Sequence, residues 1–160
     1  MKRSFTGSVI INKPQAEIFN FMTDLSKLPL WTNISEIKIT SEGPTGVGTT
    51  YIETYEANGK ISEIQSEITG FEPYSKWSYK TSSKPFSLKV SYSLTPLEEG
   101  VKIEGMGEMN LGLFSFSLPT HLVVVPMIKN RLENSLKTLK NVLEPQASTL
   151  PSAEELPEAQ

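Results

Sequence analysis

The 160-residue chain contains no cysteine, which excludes disulfide staples, thiolate nucleophiles and cysteine-built zinc or iron–sulfur centres. Its one histidine, His121, rules out a His-rich metal cage and leaves little from which to build a serine triad. An excess of positive charge is also missing: 15 Lys and Arg stand against 18 Asp and Glu, a net charge of −3. Such a chain has no global field to attract nucleic acid, and no nucleic-acid partner is expected. No apolar run approaches the ~18 residues that would span a bilayer, and the opening MKRSFTGSVI lacks the apolar centre of a signal peptide. A cytoplasmic location is the expectation. Dinucleotide, phosphate-loop and Gly-x-Ser-x-Gly patterns are absent. The glycine-rich stretch at 43–48 leads into a strand, so it offers no helix N-terminus to hold phosphate. No Asp/Glu cluster has a metal-loop spacing, and neither metal nor cofactor is expected.

The segments present read as strands between helical ends. Asn12-Lys13-Pro14-Gln15 has the form of a helix start, a capping side chain followed by proline in the first turn. Ile18, Phe19 and Met22 then share one face. A short turn is expected at 25–28, stopped by Pro29. Near the other end, Leu118, Leu122, Val125, Leu132, Leu136, Leu139 and Leu143 recur at three- and four-residue spacing, with charged residues between them. They predict an amphipathic helix over roughly 118–144, kinked at Pro126 or beginning there. Phe86 to Thr95 alternates strictly between apolar and polar residues, as a half-buried strand does. Further strands are expected at 4–11, 34–41, 74–82 and 101–110. Residues 145–160 hold three prolines, three glutamates and no Lys or Arg, the composition of an acidic, disordered tail. The order predicts one α+β domain over residues 1–144: an antiparallel sheet with its helices gathered on one side.

Turn chemistry sets the strand register. Asn58-Gly59 favours a two-residue hairpin, because both turn positions take positive φ. That turn pairs Ala57 with Lys60, Tyr55 with Ser62, Glu53 with Ile64 and Tyr51 with Ser66. One face then carries Tyr51, Glu53, Tyr55, Ile64 and Ile68, while the other carries Thr50, Thr54, Glu56, Glu63, Gln65 and Glu67 and belongs in water. A turn at Glu99-Gly100 would pair Leu94 with Gly105, Tyr92 with Gly107 and Val90 with Met109. The glycines either leave room for a ligand beside Tyr92 or mark a bulge or bend. Trp77 and Tyr79 share the inward face if Lys76, Ser78 and Lys80 are solvated.

The expected cavity lining is Trp31, Tyr51, Glu53, Tyr55, Ile64, Trp77, Tyr79, Leu88, Val90, Tyr92, Met109, Leu122 and Val125, with Ser62 and Ser66 adding hydroxyls. Trp31 serves mainly as a structural plug at the mouth. Glu53 is the one candidate acid/base, since a carboxyl in an apolar pocket is raised by desolvation. A one-residue bulge would instead turn it to solvent, and that reading is favoured in a chain rich in exposed glutamates. His121 is read as capping or partly exposed. Lys76, Lys80, Lys84 and Lys89 are read as a solvated sheet surface. The apolar run around Phe114 and Phe116 is a candidate for transient membrane contact.

The strand leading to Pro14, Leu28-Pro29-Leu30-Trp31, the strand start Gly46-Val47-Gly48-Thr49-Thr50-Tyr51, Phe71-Glu72-Pro73 before the Trp77 strand, and the closing residues 136–144 follow one another in a characteristic order. Over roughly residues 3–144 the chain resembles the START-like (SRPBCC) superfamily of the polyketide cyclase/dehydrase type, whose helix-grip architecture is shared with the birch-pollen allergen. The resemblance implies a curved seven-stranded sheet around a long C-terminal helix, two short helices between the first two strands, and an apolar cavity. It does not imply one reaction. The leading expectation is non-catalytic binding or transport of a small hydrophobic molecule: a lipid, a sterol-like compound, a polyketide or another aromatic. A cyclase, dehydratase or isomerase using Glu53, and a protein-interaction module, stand as alternatives. The oligomeric state is left open.

Overall fold

The computed structural model describes residues 2–83, 86–111 and 118–145, with the backbone alone for residues 83 and 118–121. Strand β1 (Lys2–Ile11) is followed by helix α1 (Gln15–Thr23), a 3-10 turn (Leu25–Lys27) and helix α2 (Leu28–Trp31). Strands β2 (Glu36–Ile39), β3 (Thr50–Ala57), β4 (Lys60–Glu72), β5 (Lys76–Ser83), β6 (Phe86–Leu97) and β7 (Gly100–Asn110) precede helix α3 (Leu118–Leu143). The seven strands form one antiparallel sheet in the order β1-β7-β6-β5-β4-β3-β2. Strands β2 to β7 meander, and β1 closes the far edge beside β7. Helix α3 lies across β1 and β7 and meets α2. This is the expected helix-grip arrangement.

Helix α1 buries Ile18, Phe19 and Met22, as their spacing requires. Its start differs from the expectation: Pro14 occupies the N-cap position, and no side chain caps the helix. The Asn12 N–H instead donates to Glu144 Oε2 at 3.1 Å, tying β1 to the end of α3. Pro29 does not stop a turn. It lies in the first turn of α2, where the N–H that proline lacks has no helical partner to lose. Pro126 lies inside α3, with the helix continuing on both sides.

Asn58 (φ 53°) and Gly59 (φ 75°) form the β3–β4 turn, and the pairing follows the predicted register from Ala57–Lys60 to Tyr51–Ser66. At the β6–β7 hairpin the pairing is displaced by two residues: Leu97 pairs with Gly100, Leu94 with Ile103, Tyr92 with Gly105 and Val90 with Gly107. The turn is therefore Glu98-Glu99. Gly100 (φ 142°) is required where a Cβ would stand 2.6 Å from the Ile11 carbonyl oxygen. A displacement of two keeps every side chain on its predicted face.

Against β5, strand β4 carries an extra residue between Ile68 and Gly70. The bulge bends the strand and changes the inward parity, so that Ile68 and Phe71 both pack on the core. It also covers Ser78, expected in solvent but buried, whose hydroxyl lies 2.9 Å from that of Thr69. Lys76, Lys80 and Lys89 are exposed, and Lys80 pairs with Glu67 at 3.1 Å.

The glycines opposite the aromatic strand neither leave room for a ligand nor mark a bulge. The β6–β7 pairing is regular, and the space is filled by protein. The Phe5 ring lies where a Cβ on Gly107 would stand, and Leu132 Cδ1 comes within 2.8 Å of the Cβ position at Gly105. Absent side chains here let α3 and an aromatic ring lie close on the sheet.

Candidate functional site

Between the sheet and α3 the strands present aromatic rings. Trp77 stacks on Tyr92 at 5.2 Å and lies 5.6 Å from Tyr79, while Trp31 meets Tyr92 edge-on at 5.9 Å. Both tryptophans are fully buried, so Trp31 is part of the packed interior. Their Nε1 atoms have no hydrogen-bond partner; nor do Tyr51 Oη and Ser66 Oγ, which face each other across β3 and β4. An unpartnered buried polar group costs roughly 1–3 kcal/mol.

Glu53 is 1% exposed, contrary to the favoured surface reading. The Asn58-Gly59 turn carries it inward, because any odd register shift would expel Tyr51, Tyr55 and Ile68 together. The hydroxyl of Tyr55, two residues along the same strand face, donates to Glu53 Oε2 at 2.6 Å. Desolvation holds the Glu53 carboxyl above its ordinary range, and the Tyr55 hydroxyl opposes that rise by favouring the carboxylate. The phenols of Tyr51, Tyr55, Tyr79 and Tyr92 are all pushed up, chiefly by burial and further by the nearby carboxylate.

The hollow that remains is small. It measures about 80 Å³ and is walled by Tyr55, Tyr79, Leu88, Val90 and Tyr92 from the predicted set. Phe5, Ile34, Thr32 and Asn33 also line it, with Ile128, Arg131, Leu132 and Ser135 of α3. Drug-sized ligands occupy ~300–1,000 Å³, so the expected roomy chamber is largely filled by side chains. Glu53 does not line the hollow; it lies behind the Tyr55 hydroxyl.

A second, open groove of about 520 Å³ runs beside the β3–β4 hairpin, lined by Tyr55, Ala57, Asn58, Lys60, Ser62, Glu63, Ile64 and Arg131. Tyr55 and Arg131 line both spaces, and the guanidinium carbon of Arg131 stands 5.8 Å from the Tyr55 ring centre. These two side chains border both the inner hollow and the outer groove.

The remaining predicted lining residues are dispersed. Ile64 belongs to the outer groove, and Ser62 is exposed there rather than inside. Tyr51 and Met109 are buried in the packed interior, and Val125 is a half-buried flank of the core. Leu122 is 72% exposed, because α3 has turned its apolar stripe past the sheet at that end. Ile128 was legible at three residues from Val125 and four from Leu132. Arg131 was not assigned to the site by its spacing. His121's side chain, Lys84, Phe114, Phe116 and residues 146–160 lie outside the described residues.

The profile of the family described as polyketide cyclase/dehydrase and lipid transport matches residues 2–144. The chain belongs to that family. No curated protein matches it. Among solved structures, Ara h 8.0201 is 20% identical with a TM-score of 0.73, covering 89% of this chain and 98% of that one. TTHA0849 from Thermus thermophilus is 16% identical with a TM-score of 0.73, covering 88% and 97%. The di-domain ARO/CYC BexL from the BE-7585A biosynthetic pathway is 16% identical with a TM-score of 0.74, covering 91% of this chain and 51% of that one. The chain thus spans about half of that di-domain protein. At these identities the solved structures establish the shared polyketide cyclase/dehydrase-type fold and leave the ligand open.

Proposed function

We propose that the protein binds and carries a small hydrophobic molecule between its sheet and α3, admitted where Tyr55 and Arg131 border both the inner hollow and the outer groove. One observation carries this reading: a largely apolar hollow and a larger open groove share Tyr55 and Arg131 in their linings. Side-chain rotation is fast and involves no strand, so displacing Tyr55 and Arg131 merges the spaces without unpairing the sheet. The Tyr79, Tyr92, Leu88 and Val90 walls supply flat apolar contact, and Thr32, Asn33 and Ser135 on the same lining supply a few polar groups, the usual composition of a small-molecule site. Native mass spectrometry of freshly purified protein tests the reading. A one-to-one complex with an apolar compound, released on denaturation and identifiable, is expected. A mass matching the bare chain, together with no uptake of added apolar probes, overturns it.

A second reading rests on Glu53. A buried carboxyl raised by desolvation and bonded to a tyrosine has the make-up of an acid/base that moves a proton while phenols steady a developing oxyanion. In this cyclase, dehydratase or isomerase reading, Tyr55 must swing aside before substrate meets the carboxyl. Incubation with the identified guest separates the two readings: unchanged recovery supports the carrier, and a ring-closed or dehydrated product supports the enzyme.

A further inference from the structure

The basic residues of α3 are not alike. Lys129 pairs with Glu133 at 3.8 Å and Lys140 with Glu144 at 3.4 Å, both one helical turn apart. Arg131 has Met127 and Ser135 at the same offsets, with Ile128 and Asn134 at three residues, so its own helix offers it no carboxylate. Across the site, the described partner of its guanidinium is the face of Tyr55. The nearest acid in the interior, Glu53, has Oε2 engaged by the Tyr55 hydroxyl. Arg131 is thus a cation without an ion-pair partner among the described residues, bordering both spaces, with mainly apolar walls on its inner side and Lys60 and Glu63 on the outer groove.

Arginine presents parallel N–H groups in a planar fork that matches a carboxylate bidentately. Resting on the more weakly attractive ring face, it has an interaction that an incoming anion can supplement or replace. We infer that the guest is an apolar molecule bearing one carboxylate, held by Arg131 with its hydrocarbon or ring portion directed inward. This inference rests on the carrier reading and narrows it to acids. Arg131 contacts the guest directly and sets its class, whereas Lys60, lining only the outer groove, does not.

The test uses the full chain and matched probes below their micellar concentrations: dodecanoate, dodecanol and dodecylamine, each displacing the neutral fluorophore N-phenyl-1-naphthylamine. In the wild-type protein, dodecanoate is expected to compete at least about ten-fold more strongly than dodecanol, with dodecylamine weakest. In Arg131→Gln the acid-to-alcohol ratio falls to about one while the dodecanol affinity stays within two-fold. In Lys60→Gln the wild-type ratio persists. Arg131 is exposed, and an unchanged melting temperature in Arg131→Gln confirms the fold. Equal binding of acid and alcohol by the wild type overturns the inference and leaves the carrier reading standing. A ratio that survives in Arg131→Gln, or is lost in Lys60→Gln, also overturns it. Failure of all three probes and the fluorophore to bind overturns both readings.

Discussion

Replacing Tyr55 by phenylalanine removes one oxygen from the interior and keeps the ring that faces Arg131. The lost bond is the 2.6 Å contact to Glu53 Oε2. The hydroxyls of Tyr51 and Ser66 face the same region without hydrogen bonds of their own. A hydrogen bond to a neutral carboxyl is worth about 0.5–1.5 kcal/mol, and one to a carboxylate about 1.5–3 kcal/mol. The destabilisation by Tyr55→Phe should therefore grow from about 1 kcal/mol at pH 4 to about 2 kcal/mol at pH 9. Linkage gives the same sign. Burial holds Glu53 above its ordinary range in the folded chain, so the folded state binds the proton more tightly than the unfolded one. Its contribution is fully present below the unfolded carboxyl's range and is lost as pH rises through the folded value. Removing the hydroxyl that favours the carboxylate raises the folded value further, which deepens that loss. Urea unfolding followed by the fluorescence of the buried Trp31 and Trp77, at intervals from pH 4 to pH 9, measures the difference between wild type and variant. In a Glu53→Gln background the effect of Tyr55→Phe should be flat with pH. A wild-type-to-variant difference that does not change with pH, or one that shrinks as pH rises, refutes the assignment of Glu53 as a titrating group bonded to Tyr55.

Other outcomes follow from the same packing. Tyr51, Tyr55, Tyr79 and Tyr92 are all raised above the ordinary phenol value, so stability is retained below pH 10 and lost above it, by about 1.4 kcal/mol per pH unit for each tyrosine. Phenolate absorbance from these four should therefore appear together with loss of circular dichroism, and their ionisation ahead of unfolding contradicts the burial. Gly107→Ala places a methyl group on the Phe5 ring and should cost about 1–3 kcal/mol as an overpacked site, read by urea denaturation; a neutral effect contradicts that contact. Leu132→Ala, in the core, should cost about 2–5 kcal/mol, whereas Leu122→Ser should stay within about 0.5 kcal/mol as a surface change. Comparable losses in these two variants would show that Leu122 is packed after all.

What the sequence disclosed depended on how tightly local chemistry constrains geometry. Asn58-Gly59 determines a hairpin because two adjacent positive φ values leave few turns, and through that register it determines which residues share a face with Glu53. Gly100 misled by two residues because its glycine answers to the Ile11 carbonyl, a contact 89 positions away in the chain. The faces survived, since side-chain direction has a period of two, but the partners of Tyr92 and Val90 moved. Gly105 and Gly107 could be read as space or as a bulge or bend, because the sequence cannot say that Phe5, from the other end of the chain, and Leu132, from the last helix, converge on them. The small size of the hollow has the same origin: it depends on rotamers meeting across elements distant in the chain. Arg131 reads as an ordinary helix-surface cation until the fold brings Tyr55 beside it. Its missing carboxylate at one helical turn was the one local sign that it differs from Lys129 and Lys140.

In the carrier reading a guest occupies the space between Tyr92, Val90 and Leu132. Titration with N-phenyl-1-naphthylamine, reading energy transfer from Trp31 and Trp77, addresses it most directly when wild type is compared with Val90→Trp, which fills that space. Saturable one-to-one binding with strong transfer is expected in the wild type, with a loss of at least about ten-fold in affinity in a folded Val90→Trp variant. Undiminished binding in the filled variant, or no saturable binding in the wild type, would contradict that reading.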